Sequence, residues 1–187
     1  MIIGLVGHKR SGKTTVANAL SEKGFGIYAL AGPLKMACML MFDWDEEHTD
    51  GDLKEIIDPR WGISPRQAMQ HIGTEWAQFE LPKAYPDFGI LNGRLFWMHL
   101  FHTWYKKNAD SWHGIVIPDV RFLHEANYLK ENMEARIWKI MRPGCNGDNH
   151  ASEQEIASIE ADLTIVNDST LDNLTDRVLN KLCGEGS

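Results

Sequence analysis

Cysteine is scarce in this chain, and basic charge is outnumbered by acidic. The three cysteines, Cys38, Cys145 and Cys183, lie far apart. With no C-x-x-C pair and no second cluster, they exclude a disulfide frame and a zinc site of ordinary spacing. Lysine and arginine number 19 against 26 aspartates and glutamates, a formal net charge of −7. A nonspecific duplex binder needs a basic face to displace counterions, so stable nucleic-acid binding is not expected. No run of 18 apolar residues occurs, and the chain enters an apolar strand at Met1 without a basic leader. The expectation is a cytoplasmic protein with no membrane partner. Internal repeats and low-complexity tracts are absent too, which removes solenoids and linkers. What remains is 187 residues, 43% of them hydrophobic, enough for a single compact domain over 1–187 with a full core.

Against that background one octapeptide stands out. Gly7-His8-Lys9-Arg10-Ser11-Gly12-Lys13-Thr14 fits G-x-x-x-x-G-K-[ST], the loop that wraps the phosphates of nucleoside triphosphates. Its context is right: Met1 to Val6 reads as a buried parallel strand, and Thr15 to Lys23 as a helix ended by Gly24. The two glycines let the backbone curl around an anion, and the helix start adds unpaired N–H donors and partial positive charge. In this arrangement Lys13 reaches the outer phosphates and the Thr14 hydroxyl binds Mg²⁺.

Hydrophobic periodicity and turn residues divide the rest. Phe25–Leu30 reads as a second strand, followed by a helix from Leu34 to about Phe42. The acidic run Asp43–Asp52 reads as a solvated loop; a calcium loop needs glycine at its sixth position, where His48 stands. Ser64-Pro65-Arg66-Gln67 is a helix start with Ser64 as N-cap, and the helix is expected to reach about Phe79. A further helix, Gly93 to Lys107, carries an aromatic stripe that suits a core; its His99 and His102 read as packing or surface residues. Gly114–Pro118 is a buried strand, a helix reaches about Asn132, Ala135–Met141 is a strand and Leu163–Val166 the last one. Ser169 or Thr170 caps a final helix to about Leu182. The turn-rich stretch after Met141 reads as a mobile lid. Strands alternating with helices predict an α/β fold, a three-layer doubly wound parallel sheet with its site at the strands' carboxyl ends. Those ends carry the phosphate loop, Asp119-Val120-Arg121 and Asn167-Asp168.

Phosphoryl transfer needs a second anion site and several cations. Lys9, Arg10, Lys35, Arg60, Arg66, Arg94, Arg121 and Arg142 fall in segments predicted to border the site, and arginine's planar fork suits phosphate. Asp119 could bind Mg²⁺ through water, hold a substrate hydroxyl, or cap a helix. His150 with Glu153 in the lid is equally open to a functional or a structural role.

Colinear blocks along nearly the whole chain resemble the phage deoxynucleoside monophosphate kinases of T-even and related tailed phages, members of the P-loop kinase superfamily. The blocks are Lys9–Lys13, Ala31–Lys35, Arg66, Met69-Gln70, Gly73-Thr74-Glu75, Trp97, Val116–Arg121, His124-Glu125, Arg142-Pro143-Gly144, His150 with Glu153, and Asp162–Asp168. The resemblance implies transfer of the γ-phosphate of ATP, with Mg²⁺, to a deoxynucleoside monophosphate, supplying DNA synthesis in a host cytoplasm. It implies a monophosphate-binding helical segment at about 34–107 and a lid at about 143–155. Gly7, Lys9, Arg10, Ser11, Gly12, Lys13, Thr14 and Thr15 would hold the ATP phosphates, with Thr14 as metal ligand, and Arg142, Asn167 and Asp168 would lie near adenine and ribose. Arg10, Leu34, Lys35, Arg60, Arg66, Gln70, Gly73, Thr74, Trp97, Asp119, Arg121 and Glu125 would line the monophosphate pocket. Lys13, Arg10, Arg121 and Asp119 would carry the chemistry.

Two departures stand out. Thr14 replaces an acidic residue of the T-even enzyme, and the segment between Lys35 and Arg66 is shorter than there. Another small-molecule kinase of the same fold is the alternative, followed by an ATPase or switch. The aromatic helix around Trp97 and Trp104 leaves room for a homodimer face, which a core explains equally well.

Overall fold

Glycines, prolines and capping residues cut this chain into its elements. The computed structural model describes residues 1–85, 93–145 and 151–184. Along them run β1 (Ile2–Val6), α1 (Lys13–Ser21), β2 (Phe25–Ile27), α2 (Gly32–Phe42), α3 (Glu46–Thr49) and α4 (Pro65–Gln70). They continue with α5 (Leu81–Ala84), α6 (Phe96–Asn108), β3 (Gly114–Ile117), α7 (Leu123–Met133), β4 (Arg136–Met141), α8 (Ala151–Ser158), β5 (Leu163–Val166) and α9 (Leu171–Gly184). The chain divides into two compact units, Met1–Ala29 with Phe101–Ser187, and Leu30–Leu100. No helix among the described residues is long and apolar enough to cross a membrane.

The first unit is built on a five-stranded sheet in the order β2-β3-β1-β4-β5, parallel throughout. Ile2 pairs with Ile115, Ile3 with Arg136, Phe25 with Gly114 and Trp138 with Leu163. Strand alternation sends Ile3 and Leu5 to one face, where they pack with Val16, Ala17 and Leu20 of α1 and Leu174 and Val178 of α9. Gly4 points the other way. A Cβ there would come within 2.8 Å of Ile137 Cδ1 and 3.2 Å of Val120 Cγ2, with Leu129 of α7 beyond. Helices therefore cover both faces, and the fold is a three-layer, doubly wound α/β architecture. Burial from both sides is why β1 and β3 read as unbroken apolar runs. β2 stops three residues short of the expected Leu30. Beyond Ile27 the backbone N–H of Tyr28 still donates to Val116 O at 3.0 Å. The Tyr28 ring then packs on Phe101 and Trp104, with centroids 5.0 and 4.8 Å away.

The second unit is helical. Its core joins Cys38, Trp44, Ala68 and Met69 with Leu34, Phe42, Ile63 and Ile72. The Ser64 cap forms as expected: Ser64 Oγ accepts from Gln67 N at 3.3 Å, and Gln67 Oε1 accepts from Ser64 N at 2.9 Å. Two expectations need correction. The acidic run is not simply a loop, because Asp45 Oδ1 accepts from Glu47 N and His48 N, at 3.1 and 3.3 Å. That cap turns Glu46–Thr49 into α3, and a 3₁₀ turn follows at Asp52–Glu55. The helix begun at Ser64 does not stay α-helical to Phe79, since His71–Glu80 widens into a π-helix.

Candidate active site

The ends of β1, β4 and β5 meet around the loop Gly7–Thr14. At its entry a Cβ on Gly7 would collide with the Ile140 carbonyl and lie 2.7 Å from Ser11 Oγ. Arg10 takes a left-handed conformation with φ 66°, as does Gly12 with φ 108°. Left-handed backbone at a non-glycine residue is costly and persists only when its surroundings hold it. Those surroundings are the partners of the loop's own carbonyls. Lys13 Nζ donates to His8 O at 2.8 Å and also to Gly7 O, and Ser11 N donates to His8 O at 3.1 Å. Arg142 Nη1 donates to Arg10 O at 3.4 Å, and Cys145 Sγ reaches the same oxygen at 3.7 Å. Asn167 Nδ2 donates to Ser11 O at 2.9 Å, and Val16 N to Gly12 O at 3.1 Å.

With its carbonyls tied back, the loop leads into α1, whose first-turn N–H groups have no partner within the helix. Unpaired donors at a helix start are the feature an anion would meet there. Ser11 Oγ is buried and has no hydrogen-bond partner, which suits a hydroxyl placed against a phosphate cradle. Thr14 is exposed on the first turn of α1, Thr15 is half-buried beside it, and Lys9 and Arg10 are exposed.

At the carboxyl end of β3, Asp119 is half-buried and Arg121 exposed. Glu125, on the first turn of α7, is buried, and its Oε2 accepts from Arg121 N at 2.9 Å and Phe122 N at 3.1 Å. Burial pushes its carboxyl up to about 7; the two N–H donors pull down, the Asp119 charge adds to the rise and Arg121 opposes it. The Tyr28 phenol is raised as well, by burial and then by Asp119, which marks the two as neighbours. Glu155 of α8 accepts from Leu123 N at 3.1 Å. The N–H groups at the start of α7 are thus bound by the chain's own carboxylates.

Beyond β4 and β5, Arg142 is exposed, and Asp168 pairs with Arg177 at 2.8 Å. Asn167 is only 3% exposed. A cavity of about 370 Å³ opens beside the loop, lined by Gly7 and His8, the end of β4 through Cys145, Ile156 and Ala157 of α8, and Val166. Residues 146–150, with His150, and the side chain of Glu153 lie outside the described residues.

In the second unit the residues assigned by resemblance to a monophosphate fall into two groups. The cations are all paired: Lys35 with Asp50, Arg66 with Glu55, and Arg60 with Asp58 at 2.8 Å and Asp43 at 3.1 Å. Arg60 is the most engaged. It clamps a buried Asp58 that also accepts from Trp44 Nε1 at 2.7 Å, and these bonds hold the Asp58 carboxyl well below the usual range. The neutral group gathers at the π-helix. The Gly73 carbonyl accepts from Trp97 Nε1 at 2.8 Å and Gln78 Nε2 at 3.2 Å. A Cβ on Gly73 would lie 2.6 Å from Leu34 Cδ2. Thr74 is half-buried next to it, and Gln70 is exposed.

Gln78, Glu155 and Tyr28 escape sequence reasoning. None sits in a motif: Gln78 binds a carbonyl five residues back in its own helix, while Glu155 and Tyr28 act far from their own segments. Among the described residues no group of three or more His, Cys, Asp or Glu side chains could hold a metal.

A sequence profile described as deoxynucleotide monophosphate kinase matches residues 52–178. The chain is 37% identical over 189 residues to a protein of Acanthamoeba polyphaga mimivirus provisionally named deoxynucleotide monophosphate kinase, covering 96% of this chain and 94% of that one. It is 28% identical over 135 residues to the deoxynucleotide monophosphate kinase of Enterobacteria phage T4, covering 70% of this chain but 49% of the phage protein. The match therefore spans about half the length of the phage enzyme. The crystal structure of TT1252 from Thermus thermophilus is alike in fold, with a TM-score of 0.54, 15% identity and 100% and 98% of the two chains covered.

Proposed function

The chain belongs to the deoxynucleotide monophosphate kinase family, and from that premise we propose that it transfers the γ-phosphoryl group of ATP to a deoxynucleoside 5′-monophosphate, giving the diphosphate for DNA synthesis. The observation that carries the reading is the loop Gly7–Thr14, whose carbonyls are bound by Lys13, Arg142, Asn167 and the loop's own N–H groups. A loop fixed from behind offers the rest of its donors to a phosphate without reorganising, which is the electrostatic half of catalysis.

The donor's phosphates sit in this reading over Gly7–Thr15, with Lys13 reaching the outer ones. The cavity beside Gly7, His8 and Val166 is of a size for a nucleobase, and Arg142 and Asp168 stand on the segments that follow β4 and β5. The residues fit a Mg²⁺ ion: Thr14 supplies a hard, exposed hydroxyl on the first turn of α1, and phosphates and water would supply the other ligands. Such an ion, when bound, would neutralise charge on the transferring group.

From the family resemblance, Lys35, Arg66, Gln70, Gly73, Thr74 and Trp97 are assigned to the acceptor with Leu34, and Asp119, Arg121 and Glu125 are assigned as substrate ligands at the end of β3. Arg60, bound to Asp58 and Asp43, is assigned to holding its turn. The acceptor phosphate is already an anion at neutral pH, so no strong general base is required. Arg10 and Arg121 would offset the repulsion between donor and acceptor phosphates, while Asp119 would orient a sugar hydroxyl.

One assay tests all of this: ATP and Mg²⁺ with each common deoxynucleoside monophosphate in turn, scored for ADP. ADP formed only when a monophosphate is present is the expected outcome. ADP release without an acceptor would make the protein an ATPase, and no release with any of them would overturn the acceptor class.

A further inference from the structure

The resemblance sets Asn167 beside the donor's adenine and ribose, yet its side chain is buried under the phosphate loop. We propose that Asn167 is a positioning residue, which acts on the donor's phosphates by holding the Ser11 carbonyl and so the curvature of the loop. The inference rests on reading Gly7–Thr14 as the donor's phosphate site.

Three observations converge. Asn167 and Ser11 are 3% and 1% exposed, and the bond from Asn167 Nδ2 to Ser11 O is 2.9 Å long. The backbone N–H of Asn167 donates to Met141 O at 2.7 Å, so the amide is mounted where the ends of β4 and β5 are tied together. Finally, the Asn167 amide fills the space left by the missing side chain of Gly12. A Cβ there would be 2.8 Å from Asn167 Nδ2 and 2.9 Å from Leu174 Cδ2.

The chemistry admits few substitutes. The Ser11 carbonyl needs a donor, because a buried acceptor without one carries a desolvation penalty. Aspartate has the shape of asparagine but would set a carboxylate oxygen against the carbonyl. Leucine would leave the carbonyl bare. Either change frees the Ser11–Gly12 peptide to rotate, and that peptide links left-handed Gly12 to the turn begun at left-handed Arg10. The oxygen that Asn167 holds belongs to the same peptide as the Gly12 N–H. Holding the one outward points the other toward the phosphate side, since carbonyl and N–H of a trans peptide are antiparallel.

The test separates phosphate from nucleoside. Asn167→Leu and Asn167→Asp are compared with wild type for the KM of ATP, for binding of inorganic tripolyphosphate with Mg²⁺, and for inhibition by adenosine. Asn167→Ala serves if the larger changes prevent folding. The expected result is a loss of about tenfold in ATP KM and in tripolyphosphate affinity, with the inhibition constant of adenosine within about twofold of wild type. Weaker adenosine binding with tripolyphosphate unchanged would make Asn167 a nucleoside ligand and overturn the proposal. Equal losses in both, or none in either, would overturn it too. If the wild-type protein itself fails to bind tripolyphosphate, the reading of Gly7–Thr14 falls, which is a different outcome from failure of Asn167 alone.

Discussion

Lys13 already lies along the phosphate loop, donating to the Gly7 and His8 carbonyls, so its exchange of those oxygens for phosphate requires only a short swing. Lys13→Ala is expected to lower turnover by about a thousandfold, read in a steady-state assay; near-normal activity would remove the loop from the mechanism. Arg66, paired with Glu55 on a solvent-exposed face, is assigned to the other substrate. Arg66→Ala should raise the KM for the monophosphate about tenfold and that for ATP by less than about twofold, whereas equal changes would misplace the acceptor. Glu125 yields a prediction about stability. Its folded-state carboxyl stands near 7 against an ordinary 4.5, so between those values the folded protein binds the proton more tightly than the unfolded chain. Stability should therefore be fully present below about pH 4.5 and fall as pH rises toward 7, by on the order of 3 kcal/mol. Glu125→Gln should flatten that slope in urea titrations at several pH values. At this scale the sequence made the loop readable, because its spacing is local. It hid the pairings of Lys35, Arg60 and Arg66 and the bond from Asn167 to Ser11, because each partner is fixed only by tertiary folding.

Elements with a local signature were legible and those with a distant cause were not. The start of α4 is written in four residues, and its cap forms bond for bond. Ser64→Ala is expected to cost about 1 kcal/mol in the denaturant midpoint while leaving activity at saturating substrate unchanged; a larger loss of activity than of stability would give Ser64 another role. α3 was missed because its acidic residues read as solvated, although Asp45 is a good cap and His48 Nδ1 sits 2.6 Å from its Oδ1. The π-helix was missed for a different reason. His71–Glu80 has ordinary helical periodicity, and its widening accompanies capture of the Gly73 carbonyl by Gln78 and by Trp97, a residue 24 positions away.

Across the whole molecule, alternation of apolar strands with helices was enough to announce a doubly wound sheet, whereas the strand order depends on pairings that no local pattern encodes. The core of the first unit depends on residues such as Leu20, fully buried among Leu5, Trp138 and Val178. Leu20→Ala should destabilise by about 2–5 kcal/mol in equilibrium unfolding, and a change under 1 kcal/mol would mean that the site collapses around the loss. The sheet also sets a timetable for synthesis. β1 pairs on both sides with strands made much later, Ile2 with Ile115 and Ile3 with Arg136, while Leu30–Leu100 carries a core of its own and emerges in one piece. A ribosome adding about 5–20 residues per second leaves β1 without a strand partner for on the order of ten seconds. A strand buried along its whole length is thus the one that waits longest, and the second unit has time to fold before it.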